Sequence, residues 1–187
     1  VVNNLIYNPG ANAVHYHDGK GAGPILSSVV GNVLIPGNDT QGKLSMVNIY
    51  GVLDGTRIYL KDNGAPEVPL EQWVLAKVKV PFSVRTDDPP VWTTPLTAKK
   101  SVEVKEYVLS NAGARPLDRD EIDKRIIDGV KTGEGRIIDS PQDVGGLPDG
   151  KPVFTKLVLP ANPDAAGNGN GYTNLEEWLN SFEYGKK

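Results

Sequence analysis

The two histidines of the chain, His15 and His17, fall together in HYHDGK (15–20) with Asp18 and Lys20. Strict alternation along an extended segment sends both imidazoles to one side. Two imidazoles so placed begin a zinc-type site, which then needs a third ligand, and nothing in the sequence points to one. The same residues suit a polar loop beside a sheet, with His15, His17 and Lys20 touching a sugar substrate. An exposed turn is the third reading of the segment.

AGNGNGYTNLEE (166–177) has the spacing of a calcium loop, with Asn168 and Asn170 at the third and fifth positions, Gly171 at the sixth and Glu177 at the twelfth. Ala166 stands where the first carboxylate belongs, and two amides bring no charge. Asn168, Asn170 and Glu177 are therefore a weak candidate metal set. The competing reading is a helix start in which Thr173 and Glu176 form a capping box.

GNDTQGK (37–43) matches a phosphate-loop pattern. That chemistry needs Ser or Thr next and then a helix N-terminus around the phosphates. Leu44 follows instead, with a strand-like run behind it, so the match carries no function. GKGAG (19–23) reads as a loop. NDT (38–40) is a glycosylation sequon, which acts only in a eukaryotic secretory context. The paired Asp87 and Asp88 sit beside Pro89 and Pro90 and are read as solvated. Both histidines occupy one short segment, so no Ser-His-Asp arrangement can be argued.

The elements that would position these residues begin with a loose repeat. VVNNLIYNPG (1–10), VVGNVLIPGN (29–38) and YLKDNGAPEV (59–68) align Asn4, Asn32 and Asn63, spaced 28 and then 31 residues apart. Periods of this size mark stacked repeats, parallel β-coils among them. Equivalent residues of neighbouring parallel strands lie about 4.8 Å apart, so amides at one corner can hydrogen-bond up a stack. Asn also tolerates the left-handed backbone of a sharp corner. Spacing alone equally allows Asn and Gly to mark ordinary hairpin turns.

Further strands are expected in 23–31, 43–53, 56–60 and 72–84, the last alternating at Val74, Ala76, Val78 and Val80. TDDPPVWTTPL (86–96) interrupts regular structure with three prolines, and the β region is bounded there. The expected division is 1–96 for the β-coil and 97–187 for an extension with helices packed on it. A helix is expected over 101–114, with Val104, Tyr107, Val108 and Leu109 on its apolar face and Gly113 ending it. Another spans 117–133, capped by Asp118 with Glu121 and lined by Ile122, Ile126 and Val130. A last one covers 173–182.

With 187 residues and a formal charge of -3, the chain can bury a core and gives no electrostatic reason to expect nucleic acid or an anionic membrane as partner. No apolar run approaches the length of a membrane span. The absence of Cys excludes disulfides and thiolate metal sites. Gly 21 and Pro 15, dispersed between short apolar runs, suit a turn-rich β protein.

VVNNLIYNPGANAVHY resembles the stretch of pectate lyases, polysaccharide lyase family 1, that lies just downstream of their Arg-containing segment. VVGNVLIPGNDT resembles their next rung. The tract 106–146 is similar to a C-terminal extension of many microbial members, and GYTNLEEWLNS (171–181) to their closing helix. The resemblance implies an all-β, right-handed parallel β-helix, present here as its C-terminal rungs with helices packed on the coil. It implies β-elimination on α-1,4-galacturonan, with calcium bridging substrate and acidic side chains and an Arg removing the C5 proton. It also implies a secreted, extracellular or periplasmic location.

The family's calcium carboxylates and catalytic Arg align upstream of Val1. The resemblance thus implies that calcium is bound mainly by that part, and that a complementary N-terminal β-helix fragment or chain completes the enzyme. This chain alone is expected to be inactive. A non-catalytic β-helix module that binds polysaccharide or serves structurally is the alternative.

Overall fold

Short apolar runs rich in Val, Ile and Leu, each stopped by Asn, Gly or Pro, form brief strands. The computed structural model describes residues 1–17, 23–66, 70–75, 84–147, 157–166 and 168–184. Seven strands come first: β1 (Leu5–Tyr7), β2 (Val14–Tyr16), β3 (Leu26–Val30), β4 (Val33–Ile35), β5 (Ser45–Ile49), β6 (Arg57–Lys61) and β7 (Glu71–Leu75). Three α-helices follow: α1 (Ser101–Asn111), α2 (Glu121–Thr132) and α3 (Asn174–Tyr184). The expected strand 72–84 is described only through 75, and its continuation over 76–83 lies outside the described residues.

Among the described residues all strand pairings are parallel, and they make three ladders. The first joins β3 to β6 and is extended by bridges from Val2 to Val30 and from Ile58 to Arg85. The second joins β1 to β4 and continues to Gly64. The third runs β2, β5, β7. The chain visits the first, second and third ladders in that order and then returns to the first. Among the described residues no ladder closes on itself, and the one antiparallel contact is an isolated bridge between Ala166 and Thr173. The hairpin reading of the Asn repeat therefore fails.

The repeat marks the corner between the first and second ladders. Asn4 donates through Nδ2 to Oδ1 of Asn32 at 2.9 Å, and Asn32 donates through Nδ2 to Oδ1 of Asn63 at 2.9 Å. The backbone N–H groups of Asn4 and Asn32 donate to the same oxygens, each at 3.0 Å. The buried Asn32 amide is thus satisfied from its own corner and from both neighbouring ones. The left-handed residue is not the stacked Asn but its predecessor: Asn3, Gly31 and Asp62 have φ of 54°, 65° and 51°. A sharp corner needs one such residue, and the following Asn is then free to point inward.

The core lies between the ladders. Val29, Leu34, Met46, Val47, Ile49, Ile58 and Val84 are buried together, with Ile6, Val14, Tyr16 and Leu60 packed against them. Contacts divide the chain into two compact units, Val1–Asn111 with Ile126–Arg136, and Ala112–Arg125 with Ile137–Lys187. The first unit holds the three ladders and α1.

α1 lies against β1 and β4. Its buried positions are Ser101, Val104 and Leu109. Tyr107 belongs to the exposed side instead, where the Lys99 ammonium sits 4.2 Å from its ring centre. The helix stops at Asn111, ahead of Gly113 at φ 101°. In α2 the cap is Asp120, whose Oδ1 accepts from the N–H groups of Ile122 and Asp123, and not Asp118, which pairs with Arg115 at 3.5 Å. The buried residue of α2 is Ile127, at 7% exposure, while Ile126 is 54% exposed. A later start and a rotated face are the two differences from the sequence pattern.

Candidate functional site

Val14 and Tyr16 pack on the core and His15 is exposed on the opposite side. In the parallel register Val14 lies beside Val47, His15 beside Asn48 and Tyr16 beside Ile49. Residues of equal parity therefore collect on the outer face of the third ladder. His15 meets Tyr50 with ring centres 4.5 Å apart and planes at 64°, and His17 follows at 6.1 Å from His15, edge-on at 89°.

Amides anchor the base of this cluster. Asn48 is buried, accepts from Ser45 Oγ and donates to Oδ1 of Asn12. Tyr50 donates its hydroxyl to the same Asn12 oxygen at 3.2 Å. The result is a fixed polar floor with imidazole and phenol edges raised above it. Such a surface offers donors and acceptors to a hydroxyl-rich ligand and flat apolar faces to its rings.

The expected pairing of His15 with His17 on one face is present. Lys20 and Asp18 lie outside the described residues. Asn12, Asn48 and Tyr50 were not foreseen. Asn12, out of phase with His15, carries no signal. The signal for Asn48 and Tyr50 is the face they share with His15, but reading it requires the register between β2 and β5. That offset differs from the Asn corner spacing, because the 36–44 connection between β4 and β5 and the 8–13 connection between β1 and β2 differ in length.

The 37–43 loop is held by Asn8, which follows β1 one turn earlier in the chain. Asn8, at φ 51°, donates to Asp39 Oδ2 at 2.8 Å and accepts from the Asp39 N–H at 2.8 Å. Thr40 Oγ1 accepts from the Gly37 N–H at 2.9 Å, and a Cβ on Gly37 would lie 2.6 Å from that of Asn8. Tyr7, nearby, donates to the Glu134 carbonyl at 2.7 Å. Desolvation, followed by the charges of Glu134 and Asp39, pushes its phenol above the usual value.

The second unit contains the calcium-like loop. Asn168 Oδ1 accepts from the Asn170 N–H at 3.1 Å, and Asn170 Oδ1 accepts from the Tyr172 N–H at 3.0 Å. Asn170 Nδ2 donates to Glu177 at 2.8 Å. Both amide oxygens are thus turned onto backbone donors, and one carboxylate remains. A hard cation that takes six to eight oxygens finds a poor donor set here. The capping box is complete: Thr173 donates by N–H and hydroxyl to Glu176 Oε2 at 2.7 and 3.0 Å, and its Oγ1 accepts from the Glu176 N–H at 3.3 Å. These bonds hold the Glu176 carboxyl below its ordinary value, the Thr173 N–H contributing most. Among the described residues no three His, Asp or Glu side chains gather as a metal site.

Comparison with known protein families, with curated proteins and with solved structures finds no match for this chain.

Proposed function

We propose that the three ladders are the three faces of a right-handed parallel β-helix, each turn of the chain adding one strand to every face, and that the chain is the C-terminal part of a pectate-lyase-like enzyme. The observation that carries the fold half of this reading is the Asn4, Asn32, Asn63 stack, buried at Asn32 and Asn63, at one corner of parallel ladders. The resemblance of 1–16, 29–40, 106–146 and 171–181 to that family supplies the chemistry. On this reading the outer face of the third ladder, with His15, His17 and Tyr50, borders the cleft for an α-1,4-galacturonan, and Lys20 adds a cation for uronate. The Arg base and the calcium carboxylates belong to the segment that aligns upstream of Val1, so the residues of this chain orient substrate and take no proton.

The test is polygalacturonate given to the purified chain, with binding followed by affinity electrophoresis and elimination by the ultraviolet absorbance of the unsaturated product. Binding without product is expected, with product appearing once the upstream segment is supplied as a longer chain or a companion. Lyase activity from a homogeneous monomer of this chain would overturn the division of labour. Binding that never yields product in any longer form would make it a non-catalytic polysaccharide-binding module.

A further inference from the structure

A second groove lies on the first ladder, away from the histidine face. Strand β6 alternates, Ile58 and Leu60 packing on the core and Tyr59 and Lys61 facing out. The segment after Arg85 runs over these outward residues and encloses a groove of about 530 Å³, within the range of small-ligand sites. Its walls include Tyr59 and Lys61 on one side and Trp92, Leu96, Lys99 and Lys100 on the other.

The far wall is fixed at three points. Trp92 donates through Nε1 to the Leu96 carbonyl at 3.1 Å, which sets the plane of its ring. Lys99 is gripped by Asn3, whose Oδ1 accepts from the Lys99 N–H at 2.7 Å and whose Nδ2 donates to the Lys99 carbonyl at 2.9 Å. Ser101 donates by N–H and hydroxyl to the two Asp62 oxygens at 2.9 and 2.8 Å. Asp62 also borders the groove, but its carboxylate is committed to that cap. Lys61, Lys99 and Lys100 have no ion pair among the described residues; the Lys99 ammonium lies over the Tyr107 ring, which leaves Lys61 and Lys100 as the groove's free cations on a chain whose net charge is -3.

We propose that this groove binds a segment of an acidic sugar polymer, a polyuronate. Two aromatic side chains, Tyr59 and Trp92, suit the apolar faces of pyranose rings, and the ammonium groups of Lys61 and Lys100 suit the carboxylates that such a polymer carries on every residue. Nucleic acid fits less well, because phosphate binding of useful strength draws on a broad basic surface that a chain of this charge does not have. Polygalacturonate as the specific polymer rests on the proposed function; the groove's preference for polyuronate over neutral polymer does not.

The experiment is affinity electrophoresis of the full chain in gels containing polygalacturonate, alginate, a neutral cellulose ether or a single-stranded oligonucleotide. Both acidic polymers are expected to retard the protein and the neutral one is not. Lys61→Gln/Lys100→Gln and Trp92→Ala, exposed changes checked by circular dichroism, should each weaken retardation about tenfold. Trp92→Phe should restore most of the loss. Retardation by polygalacturonate that these variants leave unchanged, but that His15→Ala/Tyr50→Ala removes, would overturn the groove and leave the proposed function standing. Retardation by alginate alone, lost in the groove variants, would keep the groove and remove the galacturonan reading. Stronger retention by the oligonucleotide than by either polyuronate, or retention by none, would overturn the inference.

Discussion

Asn32 is fully buried and passes its amide proton to Asn63 Oδ1 at 2.9 Å while its own oxygen takes two donors from Asn4. Its Nδ2 also reaches the Val30 carbonyl at 3.2 Å. One side chain therefore serves three levels of the corner. Asn32→Ala would leave the Asn4 N–H and a corner carbonyl short of partners in a dry site, a loss of about 2–4 kcal/mol. Asn4→Ala, at an exposed end of the same stack where water can replace the amide, should cost about 1 kcal/mol. Urea unfolding midpoints of the two variants read the difference; equal costs would mean the stack carries no cooperative weight.

The stack was legible because its alignment needs only an interval and a residue type. The pairing of His15 with His17 was legible for the same reason, since alternation is local. What was hidden depends on register or on packing. Asn48 and Tyr50 reach His15 only because β5 lies beside β2 in one particular offset. Asp120 and not Asp118 is the cap because α2 begins at Glu121, so its first free N–H groups lie within reach of Asp120. Ile127 is chosen over Ile126 by what packs on it, and both satisfy an apolar period.

Asp62 combines two roles that substitutions can separate. It tolerates a left-handed backbone and it caps α1 through Ser101. Asp62→Ala loses both, about 2–4 kcal/mol in all. Asp62→Gly relieves the backbone and loses only the cap, about 1 kcal/mol. Asp62→Asn keeps one acceptor and the backbone tolerance and should be the mildest. Amide exchange at Ser101, Val102 and Glu103 should rise in the same order; a common rate in all three variants would exclude the cap.

Glu176 titrates below its ordinary value of 4.5 because Thr173 donates to it. A lowered folded value means that its contribution is present above pH 4.5 and is lost as pH falls through the lowered value. Thr173→Ala should move the carboxyl back toward 4.5, read by NMR titration of Glu176. Calcium added at neutral pH should leave the Asn168 and Asn170 amide signals in place, because their oxygens are engaged with backbone N–H groups. Saturable shifts there would restore the loop as a cation site.

Tyr16 is raised above 10.0, by burial first, with the hydrogen bond to Ser27 opposing it. A raised folded value stabilises the protein fully below the unfolded value and is lost as pH climbs through the folded one. Stability should therefore fall on the alkaline side of 10.0, and Tyr16→Phe should flatten that limb while costing about 1 kcal/mol at neutral pH through Ser27. An unchanged alkaline slope in Tyr16→Phe would place the transition on other groups.

Gly31 and Gly42 share a left-handed backbone, φ 65° and 66°, but not surroundings. A Cβ on Gly42 meets nothing within 4 Å. A Cβ on Gly31 would lie 2.4 Å from Asn3 Nδ2 and 2.7 Å from the Lys99 carbonyl, the two atoms that bind the segment after Arg85 to the corner. Gly42→Ala therefore carries only the backbone cost, about 1–2 kcal/mol. Gly31→Ala adds displacement of Asn3 and loss of its grip on Lys99, about 1–3 kcal/mol more. The middle corner is thus glycine where its neighbours are Asn and Asp, because the chain at Lys99 comes closest there. The same displacement should loosen the wall that carries Lys99 and Trp92, so Gly31→Ala should weaken polyuronate retention as well as lowering the unfolding midpoint. Gly42→Ala should lower the midpoint alone, and equal loss of retention in both variants would sever the groove from the corner.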